Sequence, residues 1–409
     1  MKFFHLSDLH IGIRLHNRDL QEDQEYIFRQ IADLAATEQP DAVVIAGDIY
    51  DRAVPSAEAV EVFDRFLMQL RAAVPDAQIM MISGNHDSAP RINCYRGVLS
   101  EQRVHMIGLP PKTAEDHIAR ITMEDEFGKV NFWLLPFVKP SMVKAIVGTD
   151  ADGSSLSYDE TLRRLIGRER IGENASEAPS VRNEGQDCMH TVFAGSRDAG
   201  ERNVLVSHQF YLPSGTNAES VERMDSETCT VGNIDSICAD VLAPFDYAAL
   251  GHIHKPMKVG NGRYRYCGTP LSYSVSEAGQ EKGVLLVTLQ EKGSVQISVL
   301  PLHPLRRVRV ITGTLQEVLR QASEDYVSVT LTDRVDLDVM DMQDRLRSAF
   351  PNLLEVRRKS DRSADYSKSF VPQREPDPYE LCRDFLGGEI GEEEEVLLRD
   401  VIRTVQERG

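Results

Sequence analysis

Apolar and polar positions along the first 300 residues follow two alternating periods. Short runs that are almost wholly apolar, Lys2 to Leu6, Ala42 to Ala46, Ile79 to Ile82, Asn203 to Val206 and Tyr247 to Leu250, predict buried strands. Between them, Gln24 to Thr37 and Ser56 to Ala73 have helical spacing. The second sets Val60, Phe63, Leu67 and Leu70 on one face, with Ser56 as its N-cap. Strands interleaved with helices predict a mixed α/β domain over residues 1–304.

Two stretches break this rhythm. Residues 145–203 are rich in Gly, Ser, Asp, Glu and Arg, with one helix expected around Tyr158 to Leu165, and predict a mobile insertion. After Pro304 the pattern resets. Strands at Arg307 to Thr312, Tyr326 to Thr332 and Leu353 to Arg358 alternate with helices at Leu315 to Ala322 and Val339 to Phe350, a small βαβαβ domain over 305–359. A polar linker over 360–376 follows, then two short amphipathic helices over 377–409 split by Gly387 and Gly388. Such a tail either docks on a partner or folds back on its own chain.

At 409 residues and 41% hydrophobic, the chain has ample material for a large core. Its apolar runs are far shorter than the roughly 20 residues a membrane helix needs, so no membrane span is expected. The start "MKFFHLSDLHIG" carries Asp8 and His10 where a secretory signal needs an unbroken apolar stretch. The cysteines (Cys94, Cys188, Cys229, Cys238, Cys267, Cys382) are scattered, as suits reduced thiols in a cytoplasmic protein. A formal charge of −18 argues against a broad basic surface for nucleic acid. Carboxylates that await a metal, however, count as negative in that sum.

The chemistry lies at the strand ends. Leu6 leads through Ser7 to Asp8 and His10, Ala46 through Gly47 to Asp48, and Ile82 through Ser83 and Gly84 to Asn85 and His86. Val206 leads through Ser207 to His208, and Leu250 through Gly251 to His252 and His254. A lone Asp-x-His or Gly-Asp is ordinary turn chemistry; five apolar strands ending the same way are a site. Two Asp, one Asn and four His suffice for two adjacent ions sharing a carboxylate. Without a thiolate they favour Mn(II), Fe(II) or Zn(II). Two ions about 3.5–4 Å apart suit phosphate-ester hydrolysis. His86 stands beside a ligand, within reach of a leaving oxygen as general acid, and Asp87 is placed to orient it. His5, His16, His105, His117, His190 and His303 lack the strand-end setting and read as ordinary histidines.

"SDLHIG", "GDIYDRAVPS", "SGNHD", "SHQ" and "GHIHKP" resemble, in order and spacing, the motifs of the calcineurin-like metallophosphoesterases. The run "YCGTPLSYSVSE" (Tyr266 to Glu277) and most of the chain are similar, more narrowly, to the SbcD-type nuclease subunits of that superfamily. The resemblance implies a four-layer αββα sandwich with a small capping domain and a helical tail that binds an SbcC-type ATPase subunit. One ion would be held by Asp8, His10, Asp48 and His254, the other by Asp48, Asn85, His208 and His252, with His86 catalytic. It further implies a manganese-dependent nuclease, acting as exonuclease on double-stranded DNA ends and endonuclease on single strands or hairpins, in DNA repair, recombination and replication, and working as a homodimer. ATP hydrolysis would be the partner's, since the chain has no GxxxxGK[ST] loop.

Arg14, Arg18, Arg306, Arg307, Arg309 and Arg357 to Lys359 are candidates for contacting the DNA backbone, and equally for solvated faces. A phosphomonoesterase or cyclic-nucleotide phosphodiesterase would use the same metal chemistry, but has little use for everything after Pro304. A scaffold with structural metals would not need His86 beside Asp87.

Overall fold

The computed structural model describes residues 1–171, 200–216, 224–227, 235–333 and 339–358. Their elements build two six-stranded sheets and one of three. The first sheet contains β1 (Lys2–Leu6), β4 (Ala42–Ala46), β5 (Gln78–Ile82), β6 (Val104–Ile107), β15 (Gly283–Leu289) and β16 (Val295–Pro301) in the order β16-β15-β1-β4-β5-β6. The second contains β7 (Ala119–Asp125), β8 (Gly128–Leu135), β9 (Arg202–His208), β12 (Tyr247–Gly251), β13 (Met257–Val259) and β14 (Tyr264–Tyr266) in the order β13-β14-β12-β9-β8-β7. In the first, β1, β4, β5 and β6 run parallel, with β6 at one edge, and β15 and β16 add antiparallel pairings at the other; in the second, β14, β12, β9 and β8 run parallel between antiparallel edge strands β13 and β7. Two small ribbons are made by β2 (Arg14–Leu15) with β3 (Arg18–Asp19) and by β10 (Phe210–Leu212) with β11 (Ser236–Cys238).

Side-chain alternation explains the layering. Phe3, Val44, Ala46, Met80 and Ile82 point from the first sheet at Phe132, Leu134, Val204, Val206 and Ala249 of the second, and form the inner core. Their neighbours Phe4, Leu6, Val43, Ile45 and Met81 point outward onto α1 (Gln21–Glu38) and α2 (Ala57–Ala73). On the far side, Trp133, Leu135, Leu205 and Leu250 pack with α5 (Pro140–Val147) and α6 (Tyr158–Gly167). Short α3 (Ala89–Ile92) and α4 (Arg96–Glu101) precede β6. The result is helices, sheet, sheet, helices, the four-layer sandwich expected. Strands buried on both faces are why the central runs read as wholly apolar.

Three details differ from expectation. The buried stripe of α2 is Ala59, Val62, Phe63, Phe66 and Leu70; Val60 is exposed and Leu67 only partly buried, because Phe66 stacks on Phe28 of α1 at 4.5 Å and sets the helix's rotation. Much of 145–203 is packed, not loose. Leu156, Leu162, Leu165 and Ile166 are core residues and Arg202 opens a central strand, so of this stretch only 172–199 lie outside the described residues. The polar surface of α6 had hidden its apolar stripe. Finally, the edge strands β7, β13 and β16, and the three-residue β14 beside β13, are too short or too exposed to read as buried apolar runs in the sequence.

After Pro304, β17 (Val308–Gly313), α7 (Leu315–Leu319), β18 (Tyr326–Leu331), α8 (Val339–Ala349) and β19 (Leu353–Arg358) form a parallel three-stranded sheet with two helices. It encloses its own core of Ile311, Val318, Val329, Leu346 and Phe350. Thr314 and Glu317 cap the start of α7 reciprocally. The expected linker and tail, residues 360–409, lie outside the described residues.

Candidate metal centre

The carboxyl ends of β1, β4 and β5 in one sheet and of β9 and β12 in the other meet at one edge of the sandwich, where all five strand-end motifs converge. The backbone there is forced. Asp8, His10, Asp48 and His252 have φ of 53°, 42°, 49° and 97°, a region that costs a residue with a side chain about 1–3 kcal/mol. Interlocking hydrogen bonds hold them: Asp8 N–H donates to Gly47 O and His10 N–H to Asp48 O, both at 3.0 Å, and His252 N–H to Asp8 Oδ1 at 3.0 Å. The glycines give room for the ligands to approach. A Cβ on Gly47 would lie 2.3 Å from His208 Nδ1, and one on Gly84 2.1 Å from Asp48 Oδ1.

All seven residues singled out as ligands come together, and all but Asn85 are buried. His10 Nε2 and His254 Nε2 face each other at 3.1 Å, and donor atoms of Asp8, His10 and His254 lie within 4.8 Å of one another. Asp48 sits between the two halves, with Oδ2 3.6 Å from His10 Nε2 and 3.3 Å from His208 Nε2. Asn85 Oδ1 is 3.0 Å from His208 Nε2 and 2.9 Å from His252 Nδ1. His208 Nδ1 donates to the carbonyl of Ala46 at 2.8 Å, which turns its Nε2 toward the cluster.

Burial and mutual charge set the protonation. Burial drives His10 and His254 well below the ordinary imidazole value, so both present lone pairs at neutral pH. Asp8 is pushed up to about 7, by burial first, with Asp48 adding repulsion against the pull of His208. Burial also disfavours charge on Asp48, yet His208, His10 and His86 together hold it below the usual carboxylate range. His208 goes the other way: burial lowers it, but the Asp48 and Asp8 carboxylates outweigh that and raise it to about 9.

These contacts fit divalent metal ions better than they fit each other. Two neutral imidazoles at 3.1 Å share at most one proton, and His10 Nδ1 is buried with no hydrogen-bond partner. A cation between the facing nitrogens satisfies both, and nitrogen and oxygen donors without sulfur suit a transition metal in a hydrolytic site.

His86 lies at the mouth of this cluster, its ring 4.8 Å from that of His10. Its Nδ1–H donates to Asp51 O at 2.9 Å. Asp87 has a different role from the one expected. Its carboxylate accepts from the backbone N–H groups of Ile49 (3.1 Å), Tyr50 (3.0 Å) and Gly84 (2.9 Å), tying the loop after β4 to the loop after β5. Burial first, and the nearby Asp48 charge next, push it up to about 6. A carboxylate aimed at three amides is a clamp on the loops that carry Asp48 and Asn85; the orientation of His86 falls to the Asp51 carbonyl.

The sequence profile of the calcineurin-like phosphoesterases matches residues 1–256, the stretch that carries all five motifs. The chain belongs to that family. A second profile, the C-terminal domain described as that of the type 5 capsule protein repressor, matches residues 301–387. Among curated relatives, the D subunit of nuclease SbcCD from Staphylococcus epidermidis is 29% identical over 377 residues, covering 90% of this chain and 88% of the relative. Among solved structures, a Thermus thermophilus protein covers 73% of this chain and 98% of its own at 10% identity (TM-score 0.38). A dimetal phosphatase from Danio rerio covers 74% and 99% at 14% identity (TM-score 0.34). Among the described residues no helix is long and apolar enough to cross a membrane.

Several site residues were not found from sequence. Ser226, Glu227, Glu277 and Lys282 surround His254 from behind, and only the family-like run ending at Glu277 hinted at them. Of the basic candidates, Arg306 pairs with Glu22 and Asp23 at 2.6 and 2.8 Å, Arg309 with Asp325 at 3.3 Å and Arg357 with Glu355 at 3.0 Å; Arg18 donates to Pro351 O. Arg14 lies, with Asn17 and with Arg52, itself 3.5 Å from Asp51, along a groove of about 790 Å³.

Proposed function

We propose that this chain is a DNA nuclease subunit that hydrolyses phosphodiester bonds with two divalent ions, Mn(II) foremost. It acts as an exonuclease on double-stranded ends and an endonuclease on single strands or hairpins, in repair, recombination and replication. The observation that carries this reading is the convergence of seven nitrogen and oxygen donors at one sheet edge, on a chain that aligns with a nuclease subunit over 90% of its length.

Asp8, His10, Asp48 and His254 would hold one ion and Asp48, Asn85, His208 and His252 the other. When bound, the pair supplies a water nucleophile at neutral pH and neutralises the phosphoryl oxygens. The remaining work is the protein's. With Nδ1–H fixed on the Asp51 carbonyl, His86 holds its transferable proton at Nε2, where the leaving oxygen would receive it. Asp87 keeps the Asp48 and Asn85 loops in register. Arg14 and Arg52 line the adjoining groove, where backbone phosphates of DNA would lie.

Residues 305–359 serve as a capping domain, 360–376 as a linker, and 377–409 as the docking tail for an SbcC-type ATPase. The chain works in the cytoplasm as a homodimer, with the exposed Val60 and Met68 of α2 toward the second copy. The test is digestion of end-labelled duplex DNA with Mn(II), with and without the ATPase partner and ATP, beside a nitrophenyl phosphate control. His86→Ala is expected to keep its metals and lose about 10²–10⁴ in rate. Intact DNA with brisk monoester hydrolysis would leave the metal centre standing and refute the nuclease assignment.

A further inference from the structure

Outside the ligand shell, the densest buried charge in the described residues lies behind His254. Glu277 is fully buried at the end of the run "YCGTPLSYSVSE". Its carboxylate accepts from Lys282 Nζ (2.6 Å), Ser226 Oγ (2.7 Å), Thr269 Oγ1 (2.9 Å), Ser274 Oγ (3.0 Å) and Tyr273 N–H (3.2 Å). Lys282, also buried, donates as well to Thr269 Oγ1 at 2.8 Å and to the carbonyl of His254 at 3.2 Å. Five donors on one carboxylate are far more than an ion pair needs. The run's other members face the same way: Tyr273 OH donates to Leu9 O, and Cys267 Sγ lies 2.9 Å from Ser7 Oγ.

Ser226 connects this network to the site. Its Oγ is 2.7 Å from Glu277 Oε1 and 2.7 Å from His254 Nδ1. A hydroxyl has one proton, and a carboxylate oxygen ringed by donors can only accept it. Ser226 therefore donates to Glu277 and accepts from His254 Nδ1–H. That leaves His254 Nε2, facing His10 at 3.1 Å, without a proton. The backbone of His254 is fixed as well, its N–H donating to Glu227 Oε1 at 2.8 Å.

We propose that Glu277 is a positioning residue for the metal centre, acting through Ser226 to hold His254 in the Nδ1–H tautomer with Nε2 aimed between Asp8 and His10. Lys282 neutralises Glu277, so the carboxylate orients the imidazole without drawing a cation out of the ligand shell. A hydrogen bond of this kind, from the far nitrogen of a ligating histidine, typically contributes about 10–100-fold to metal affinity. This inference rests on reading His254 as a ligand.

The experiment is calorimetric titration of the metal-depleted full chain with Mn(II). His254→Ala, the control on the ligand reading, is expected to lose one of two sites; if it binds as wild type does, that reading falls. Given that loss, Ser226→Ala and Glu277→Gln are expected to weaken the same site about 10–100-fold and leave the other unchanged. Ser226→Thr, which restores the hydroxyl, is expected to bind within a few-fold of wild type. Should Glu277→Gln not fold, with Lys282 left uncompensated, the serine pair decides alone. Wild-type affinity in Ser226→Ala overturns the inference, as does a loss that threonine fails to restore, since volume and not the hydroxyl would then be what matters.

Discussion

Two buried polar regions join the sheets, and they are built on opposite terms. At the seam, His5 of β1 is fully buried, with Nε2 3.2 Å from Leu250 O and Nδ1 2.9 Å from Tyr247 OH on β12. A carbonyl only accepts, so Nε2 carries the proton and Nδ1 accepts from the tyrosine. Every polar atom has its partner. At the strand ends, also buried, His10 and His254 face each other nitrogen to nitrogen and Asp8 and Asp48 share a small volume. Buried polar groups that satisfy one another are structure; buried groups that fail to do so, on backbone held at positive φ, are a site that awaits a cation.

The largest expected effect breaks the second region. In metal-depleted protein Asp8→Asn is expected to melt no lower than wild type, because it removes a buried carboxylate crowded by Asp48 while keeping an acceptor for His252 N–H. With Mn(II) at about a thousandfold excess over the dissociation constant, wild type gains about 4 kcal/mol per site, and the variant is expected to lose most of that gain. Thermal melts of both proteins, with and without metal, check it. A variant that melts well below wild type without metal would mean that the cluster is structure after all.

A smaller effect breaks the seam. His5→Phe keeps the bulk of the ring but leaves Tyr247 OH without its acceptor, a loss of about 1–3 kcal/mol. Metal binding per folded molecule is expected to be unchanged, which is what separates the two regions. Urea unfolding and Mn(II) titration of the same preparation give both readings; weakened metal binding would show that the seam belongs to the site.

The same contrast shows what could be read from the sequence. Strand ends were legible because a wholly apolar run that stops at Ser or Gly and then presents Asp, Asn or His has one physical reading when it recurs five times. The layers were legible because central parallel strands are buried on both faces. His5 passed for an ordinary histidine, since its partners Tyr247 and Leu250 are more than 240 residues away and only the pairing of two sheets brings them near. Ser226, Glu277 and Lys282 were illegible for the same reason. Asp87 sits in the site but with other partners than its neighbour His86, because proximity in sequence says nothing of the Ile49 and Tyr50 amides that another loop brings in.

The smallest effect sharpens the comparison, and it depends on pH. Burial, opposed only by the Leu250 carbonyl, lowers His5 to about 3. Below about pH 6.5 the unfolded chain takes up a proton at this histidine that the folded chain refuses until about pH 3. Its contribution is therefore fully present above about 6.5 and is lost as pH falls toward 3, at up to about 1.4 kcal/mol per pH unit. Tyr247→Phe removes one hydroxyl from a pair that keeps its other bond, and is expected to cost about 1 kcal/mol while leaving that pH dependence in place, because the ring stays buried. His5→Phe is expected to abolish it. The difference in urea midpoint between these two variants, followed from about pH 7 to about pH 5 across the onset of that uptake, should narrow and then reverse, because Tyr247→Phe starts the more stable and alone loses stability as His5 draws protons into the unfolded chain. A constant difference would mean that His5 is protonated in the folded protein, and that the seam, like the strand ends, carries charge.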